Sequence, residues 1–157
     1  MRDEQYEPLK IEKKWQQVWA DQNKFKPKPS DKQFSIVIPP PNVTGSLHMG
    51  HALEHSIIDV LVRYKRLNGF ETLWVPGTDH AGIITQLLVE KELSAQGTSK
   101  ELLGRDKFID EVWKWKETSG ENISNQMKTL GMSCDWSMER FTMDEGLSDA
   151  VQQVFID

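Results

Sequence analysis

The sequence predicts an α/β fold built around a parallel sheet. Two short apolar runs, Phe34–Ile38 and Phe70–Val75, are typical of strands. Each is followed by a loop and then by a segment with the apolar period of a helix. A strand–loop–helix unit that occurs twice argues for parallel strands joined by right-handed crossovers. The 157 residues have the length of about one ordinary domain.

The first segment of the chain is predicted to be an amphipathic helix, because apolar residues recur at helical spacing through residues 8–22. A connector rich in lysine and proline, residues 24–32, separates this helix from the first strand. We therefore divide the chain into an N-terminal helix with its connector, residues 1–32, and an α/β domain over residues 33–157.

The two strand–helix units come next. The run Phe34–Ile38 is predicted to be a buried strand that three prolines end. The helical period returns over His48–Leu67, and Gly69 stands where a C-terminal cap is expected. Residues 76–79 are predicted to form a turn before a second helix, Ile83–Leu93.

The last third of the chain is predicted to be largely helical. Gly120 is expected to divide one helix over residues 105–118 from another over residues 121–130. Thr142 is predicted to be the N-cap of a final helix, with Glu145 completing a capping box. Because the apolar pattern of that helix continues to the last residues without a cap, we expect the chain to be a segment of a longer protein.

Composition excludes several classes of protein. Cys134 is the single cysteine, so neither an intramolecular disulfide nor a cysteine-based zinc site is possible. No apolar run approaches the roughly 18 residues of a membrane span, and the polar N-terminus does not resemble a signal peptide. The net charge of −5 gives no broad electrostatic attraction for nucleic acid. We expect a cytoplasmic protein that binds neither membranes nor DNA.

The stretch Pro39–His51 carries the most chemical information. A strand ends, a glycine-containing loop follows and a helix begins, and open α/β folds bind ligands at that end of their strands. The free N–H groups and the dipole of a helix N-terminus suit a phosphate. His48 and His51 share the first turn, and Gly50 between them lets a ring or a phosphate approach the backbone.

Taken alone, the same residues leave other roles open. The histidines on one helical face could bind a metal, with carboxylates adding oxygen ligands; the candidates are His48, His51, His55, Glu54, Asp59 and Asp79. His55 lies one turn deeper in the helix, which favours a solvated or capping role. Asp79 alone is typical of a helix N-cap, and the polar loop residues Asn42 and Thr44 are typical of turns.

Several motifs resemble the class I aminoacyl-tRNA synthetases. The sequence His48–His51 is similar to the His-Ile-Gly-His signature of that family. Four stretches resemble the valyl members more than the isoleucyl or leucyl members: Pro39–Ala52, Gly77–Ile83, Asp135–Trp136 and Glu139–Glu145. The similarity runs from about residue 8 to the end of the chain.

The resemblance implies the first half of a Rossmann-like nucleotide-binding fold, with an N-terminal helix and a helical C-terminal part. It also implies ATP-dependent activation of valine to valyl-adenylate and transfer to tRNA(Val) in the full enzyme, with Mg²⁺ accompanying ATP. The alternatives are an isolated ATP- or adenylate-binding module without turnover and a metalloprotein built on the histidine cluster.

The resemblance also assigns residues. The ATP-binding residues it implies are Asn42, Thr44, His48, Gly50 and His51, of which the two histidines are catalytic. The valine-binding residues it implies are Pro39, Pro40, Asn42 and Asp79. In this assignment Asp79 binds the α-ammonium group of valine, and the two prolines form one wall of the side-chain pocket.

Several family features are missing from these 157 residues. The second class I signature, Lys-Met-Ser-Lys-Ser, is absent, and Met127-Lys128-Thr129 does not supply it. The editing and anticodon-binding regions of the family are also absent. We therefore expect the chain by itself to be inactive or weakly active.

Overall fold

The computed structural model describes residues 6–157. The helices are α1 (Pro8–Asp21), α2 (Met49–Leu67), α3 (Ile83–Ala95), α4 (Lys100–Leu103), α5 (Arg105–Thr129) and α6 (Glu145–Ile156). The strands are β1 (Gln33–Val37), β2 (Glu71–Val75), β3 (Gly77–Thr78) and β4 (Arg140–Phe141), and a 3₁₀ turn covers Trp136–Met138. The predicted positions of α1, β1, α2, β2 and α3 are therefore confirmed to within a few residues.

The strands are parallel, as the sequence predicted. β1 pairs with β2 over its whole length, from Gln33 opposite Glu71 to Val37 opposite Val75. β3 pairs with β4. Because only Pro76 separates β2 from β3, residues 71–79 form the middle of a three-stranded arrangement, with the β1 segment on one side and the β4 segment on the other. The α/β class with parallel strands is confirmed.

The core lies where α2 and α5 pack with the middle strand. Its buried members are Ile38, Val62, Trp74, Ile123, Met127, Met132 and Cys134. Trp74 is completely buried, and it comes from β2, at the centre of this arrangement. A second cluster of Val89, Leu93 and Phe108 joins α3 to α5. Among residues 6–157, no helix is both long enough and apolar enough to cross a membrane.

The expectation that the first strand is buried was wrong for most of its length. Phe34 and Ile36 are half-buried, Val37 is 70% exposed, and only Ile38, just after the strand, is buried. Within the described part of the chain, β1 pairs with β2 on one edge alone. Half-buried and exposed residues therefore alternate in β1 because one face of the strand is covered and the other is open.

The predicted turn over residues 76–79 was also wrong, because Gly77 and Thr78 form strand β3. A Cβ atom on Gly77 would lie 2.5 Å from the carbonyl oxygen of Arg140. Glycine therefore allows β4 to approach the middle strand closely enough to pair with it. The local sequence is typical of a turn, but the neighbouring strand decides its conformation.

Gly120 does not divide the last long helix, contrary to the sequence-based expectation. α5 runs without interruption through residues 105–129. Ser119, Ile123 and Met127 are buried on one face of it, and a Cβ on Gly120 would lie 3.8 Å from Val43 Cγ1. Burial of this continuous face outweighs the roughly 1 kcal/mol that a glycine costs in a helix interior.

Candidate active site

The carboxyl ends of the first and middle strand segments meet at a parallel bridge between Asn42 and Asp79. The N–H of Asp79 donates to the Pro41 carbonyl at 2.8 Å, and the N–H of Val43 donates to the Asp79 carbonyl at 2.9 Å. Two segments that the sequence singled out separately are thus held side by side by backbone hydrogen bonds. This bridge lies where open α/β folds place their ligands.

Three side chains of α5 hold the loop between β1 and α2. Trp115 Nε1 donates to the Val43 carbonyl at 2.9 Å, and Gln126 Oε1 accepts from the Leu47 N–H at 2.8 Å. Asn122 Nδ2 lies 3.4 Å from Ser46 Oγ. These loop-supporting residues were not predicted from the sequence. Their spacing of seven and then four residues along one helix face was the available signal.

His48 caps helix α2 with its own imidazole. Nδ1 of His48 accepts from the N–H of Gly50 at 3.0 Å and from that of His51 at 3.4 Å. Nδ1 of His51 accepts in return from the N–H of His48 at 3.2 Å. This is a capping box in which both side chains are histidines. The two rings stack with their centroids 3.9 Å apart.

The capping box determines which ring nitrogens carry hydrogen. Both Nδ1 atoms accept hydrogen bonds, so each neutral imidazole must be protonated at Nε2. The expectation of free backbone N–H groups at this helix end was wrong for two of them, because those of Gly50 and His51 are bound to His48. The two Nε2–H groups, not these backbone amides, are the donors available to an anion.

Gly50 is the residue that permits this arrangement. A Cβ on Gly50 would lie 2.8 Å from Cε1 and 2.9 Å from Nδ1 of His48. The ring that approaches the backbone at this glycine is therefore the imidazole of His48 itself. A larger residue would force that ring out of its cap.

The pKa of His51 is lowered from its usual value. Burial is the main cause and the neighbouring imidazole of His48 is the second, while Glu54 opposes the shift. A proton on Nδ1 would also remove the acceptor that binds the His48 N–H. The capping box therefore favours the neutral form of His51.

His55, predicted to be solvated or capping, is instead completely buried. Neither of its ring nitrogens has a hydrogen-bond partner within residues 6–157. Its ring centroid is 6.1 Å from that of His51. Burial is the main cause that lowers the pKa of His55, and Glu54 opposes it.

Acid should therefore destabilise the chain through His55. The unfolded chain binds this proton at a higher pH than the folded chain, so stability is lost as pH falls below about 6.5, the usual histidine value. The free energy of unfolding lost through one proton cannot exceed about 1.4 kcal/mol per pH unit. We expect His55→Leu to flatten this slope in urea denaturation between pH 8 and pH 5. Equal slopes for both proteins would contradict this assignment.

Asp79 belongs to a hydrogen-bonded group that spans the sheet. Thr142 Oγ1 donates to Asp79 Oδ1 at 2.9 Å and accepts from the backbone N–H of His80 at 2.9 Å. His80 Nδ1 lies 2.6 Å from the same hydroxyl oxygen. The predicted N-cap role of Thr142 was wrong, because α6 begins at Glu145 with Asp144 at its N-cap. Asp79 does not cap α3 either, since Gly82 occupies that position.

The remaining predicted residues lie around the bridge. Pro39, Pro40 and Asn42 are exposed, and Thr44 is half-buried with its N–H donating to the Asn42 carbonyl at 2.8 Å. None of them makes a side-chain hydrogen bond within the described residues. Their assignment to ATP or valine stays a prediction.

The alternative of a histidine-based metal site has no geometric support in the described part of the chain. Within residues 6–157, no group of three or more histidine, cysteine, aspartate or glutamate side chains could hold a metal ion. Asp59, one of the candidate oxygen ligands, accepts from Arg63 Nε at 2.6 Å and from the Ser133 N–H at 2.9 Å. Asp79 is similarly engaged by Thr142.

Comparison with known proteins agrees with these observations. The family described as tRNA synthetases class I (I, L, M and V) matches residues 14–157. A valine–tRNA ligase of Geobacter sulfurreducens is 58% identical over 153 residues, which are 96% of this chain and 17% of that protein. One from Pelagibacter ubique is 59% identical over 157 residues, covering 100% of this chain and 18% of that protein.

A solved structure has the same fold. It is the crystal structure of a ternary complex of Agrobacterium radiobacter K84 agnB2 LeuRS with tRNA and LeuAMS. The TM-score is 0.78 at 26% identity, and the match covers 98% of this chain and 18% of that one. The chain thus spans about one sixth of the length of the curated relatives it matches.

Proposed function

The chain belongs to the class I tRNA synthetases, and on that premise we propose that it supplies the first part of a valine–tRNA ligase active site. In the full enzyme this site activates valine with ATP and transfers it to tRNA(Val). The observation that carries the proposal is the Asn42–Asp79 bridge, which holds the loop leading to the histidine pair beside a carboxylate. Such a site combines hydrogen-bond donors for an anion with a carboxylate that binds a cation.

The cation in this proposal is the α-ammonium of valine, which Asp79 binds by a charge-assisted hydrogen bond. Asp79 is about one-third exposed, so a small ligand can reach it. Pro39 and Pro40 stand exposed on the strand-end loop nearby and form one wall of the side-chain pocket.

The anion is the phosphate chain of ATP, which the Nε2–H groups of His48 and His51 bind. Asn42 and Thr44, in the same loop, contact the nucleotide or the adenylate. Gly50 contributes by keeping the His48 ring in its cap, because any side chain at this position would overlap that ring. Mg²⁺ enters with ATP as part of the substrate and is held largely by phosphate oxygens.

The reaction depends on the positions of the reacting groups and donors more than on proton transfer. A carboxylate oxygen of valine attacks the α-phosphorus of ATP, and the bond from that phosphorus to the bridging oxygen of pyrophosphate breaks. Negative charge builds on the phosphate oxygens, where two neutral imidazole donors fixed by a capping box can stabilise it. Donors already held in place need little reorganisation during the reaction.

The partners of the full enzyme are therefore valine, ATP and tRNA(Val). The names of the relatives support the amino acid and the tRNA, and family membership supports ATP. A cytoplasmic location remains part of the proposal, because tRNA charging supplies ribosomes.

Valine-dependent exchange of pyrophosphate into ATP tests this proposal. We would measure it for the chain alone and for a chimera in which this chain replaces the matching segment of the Geobacter sulfurreducens relative. The chimera should catalyse exchange, and Asp79→Asn should raise its valine KM by about 10- to 100-fold, the range expected for a hydrogen bond to a charged group. The ATP KM should change little.

Measurements on the chain alone test the remaining alternative, a nucleotide-binding module without turnover. If it binds ATP without exchange, it is a nucleotide-binding part whose turnover depends on other segments of the enzyme. A chimera that folds and binds ATP but shows no valine-dependent exchange would contradict the proposed function.

A further inference from the structure

We propose that Thr142 and His80 are positioning residues that hold the Asp79 carboxylate in the orientation that receives the substrate ammonium. This inference rests on the proposed function and deepens it. The Thr142 hydroxyl, 63 residues away from Asp79 in sequence, lies 2.9 Å from one of the Asp79 carboxylate oxygens.

The hydrogen-bonding capacity of the Thr142 hydroxyl is fully used. A hydroxyl has one hydrogen to donate and two lone pairs to accept with. The hydrogen goes to Asp79 Oδ1, and one lone pair accepts the N–H of His80. The second lone pair must then accept from His80 Nδ1 at 2.6 Å, so neutral His80 carries its hydrogen on Nδ1. This is the opposite tautomer to that of His48 and His51.

The same tautomer supports Asp79 through Thr142. His80 Nδ1 also lies 3.3 Å from Asp79 Oδ1, but its hydrogen bond is to the Thr142 hydroxyl. Oδ1 therefore accepts from Thr142, and His80 holds that hydroxyl in place. Within residues 6–157, Oδ2 of Asp79 makes no hydrogen bond, which leaves it as the oxygen that takes the ammonium.

The backbone around Thr142 is itself held in place. Its N–H donates to the Thr78 carbonyl at 3.2 Å, as the last hydrogen bond along the β3–β4 pair. Asp144 closes the turn that follows, because its carboxylate accepts the Phe141 N–H at 2.9 Å. His80 is fixed in turn by the Thr85 hydroxyl, which donates to its carbonyl at 2.7 Å. The hydroxyl thus reaches Asp79 from a rigid support and not from a flexible loop.

Thr142→Val tests the hydroxyl because valine keeps the shape of threonine and removes the hydrogen bonds. In the chimera described above, we expect the valine KM of exchange to rise by about tenfold, with the ATP KM unchanged. Thr142→Ser restores the hydroxyl and should return the valine KM to within about twofold of the original. Thr118→Val is the matched control, because its hydroxyl bonds only to its own helix, at the Lys114 carbonyl.

A second measurement uses the chain itself and no activity. In ¹⁵N spectra of the imidazoles, His80 should show its hydrogen on Nδ1 in the unchanged chain and in Thr142→Ser. Thr142→Val should shift His80 toward the other tautomer, and Thr118→Val should not. A merely structural role for Thr142 predicts lower stability in Thr142→Val without the selective rise in valine KM.

The outcomes separate this inference from the proposed function. Valine-dependent exchange with the same valine KM in Thr142→Val would overturn this inference alone. An unchanged His80 tautomer in that variant would overturn the hydrogen-bond assignment. A chimera with no valine-dependent exchange would overturn the proposed function, and this inference with it.

Discussion

Gly50→Ala is expected to abolish most of the valine-dependent exchange of the chimera, with a fall of about 10²- to 10³-fold, the cost usually seen when a transition-state donor is lost. The added Cβ would lie 2.8 Å from Cε1 of His48, so the ring must leave its cap. The His48 imidazole then loses the hydrogen bonds that hold its Nε2–H group in place, and His51 loses the ring that stacks against it. The residual activity should approach that of a His48→Ala variant.

Stability should change far less than activity in this variant. Loss of an N-cap costs about 1 kcal/mol, but alanine is favoured over glycine in a helix by a similar amount. Gly146→Ala is the matched control, because Gly146 is also the second residue of its helix and a Cβ there meets nothing within 4 Å. We expect Gly146→Ala to keep full exchange. Full exchange in Gly50→Ala would contradict the role assigned to the histidine cap.

Trp74→Ala is expected to lower the free energy of unfolding of the chain by about 3–5 kcal/mol, as large aromatic truncations in cores do. Trp74 is completely buried in the middle strand and belongs to the main core cluster. Domains of this size are typically stable by only about 5–15 kcal/mol, so this loss removes a large share of the free energy of unfolding. Urea denaturation followed by circular dichroism measures the change.

Two further variants make this result specific. Trp15→Ala removes the same side chain from α1, where it is 48% exposed, and should cost less than about 1 kcal/mol. Trp74→Phe keeps an aromatic ring and removes an indole N–H that has no partner within the described residues, so it should cost much less than alanine. Equal losses in Trp15→Ala and Trp74→Ala would show that Trp74 does not anchor the core.

The stability and activity predictions concern different parts of one arrangement. Trp74 and its neighbours hold the middle strand, and Asp79 stands at the carboxyl end of that strand segment. The histidine pair is attached to the same edge through the loop that Trp115 and Gln126 support. A substitution in the core therefore disturbs the site through the fold, whereas Gly50→Ala disturbs it locally.

Local features of the sequence determined much of this protein by themselves. The apolar period predicted helix α2. The prolines predicted the end of the strand before it, and Gly69 predicted the end of the helix. The motif around His48 and His51 predicted the start of that helix after a strand and a loop, because short spacings specify helix faces and caps without help from the rest of the chain. Those predictions concern residues that interact within one or two turns.

The tertiary structure decided what depends on contacts between distant residues. Thr142 caps nothing and instead binds Asp79, because strand β4 pairs with β3 in one particular register. His55 is buried, and α5 continues through Gly120, because other elements cover those positions. Hydrogen bonds and burial between residues tens of positions apart depend on strand register and packing, which no local pattern encodes.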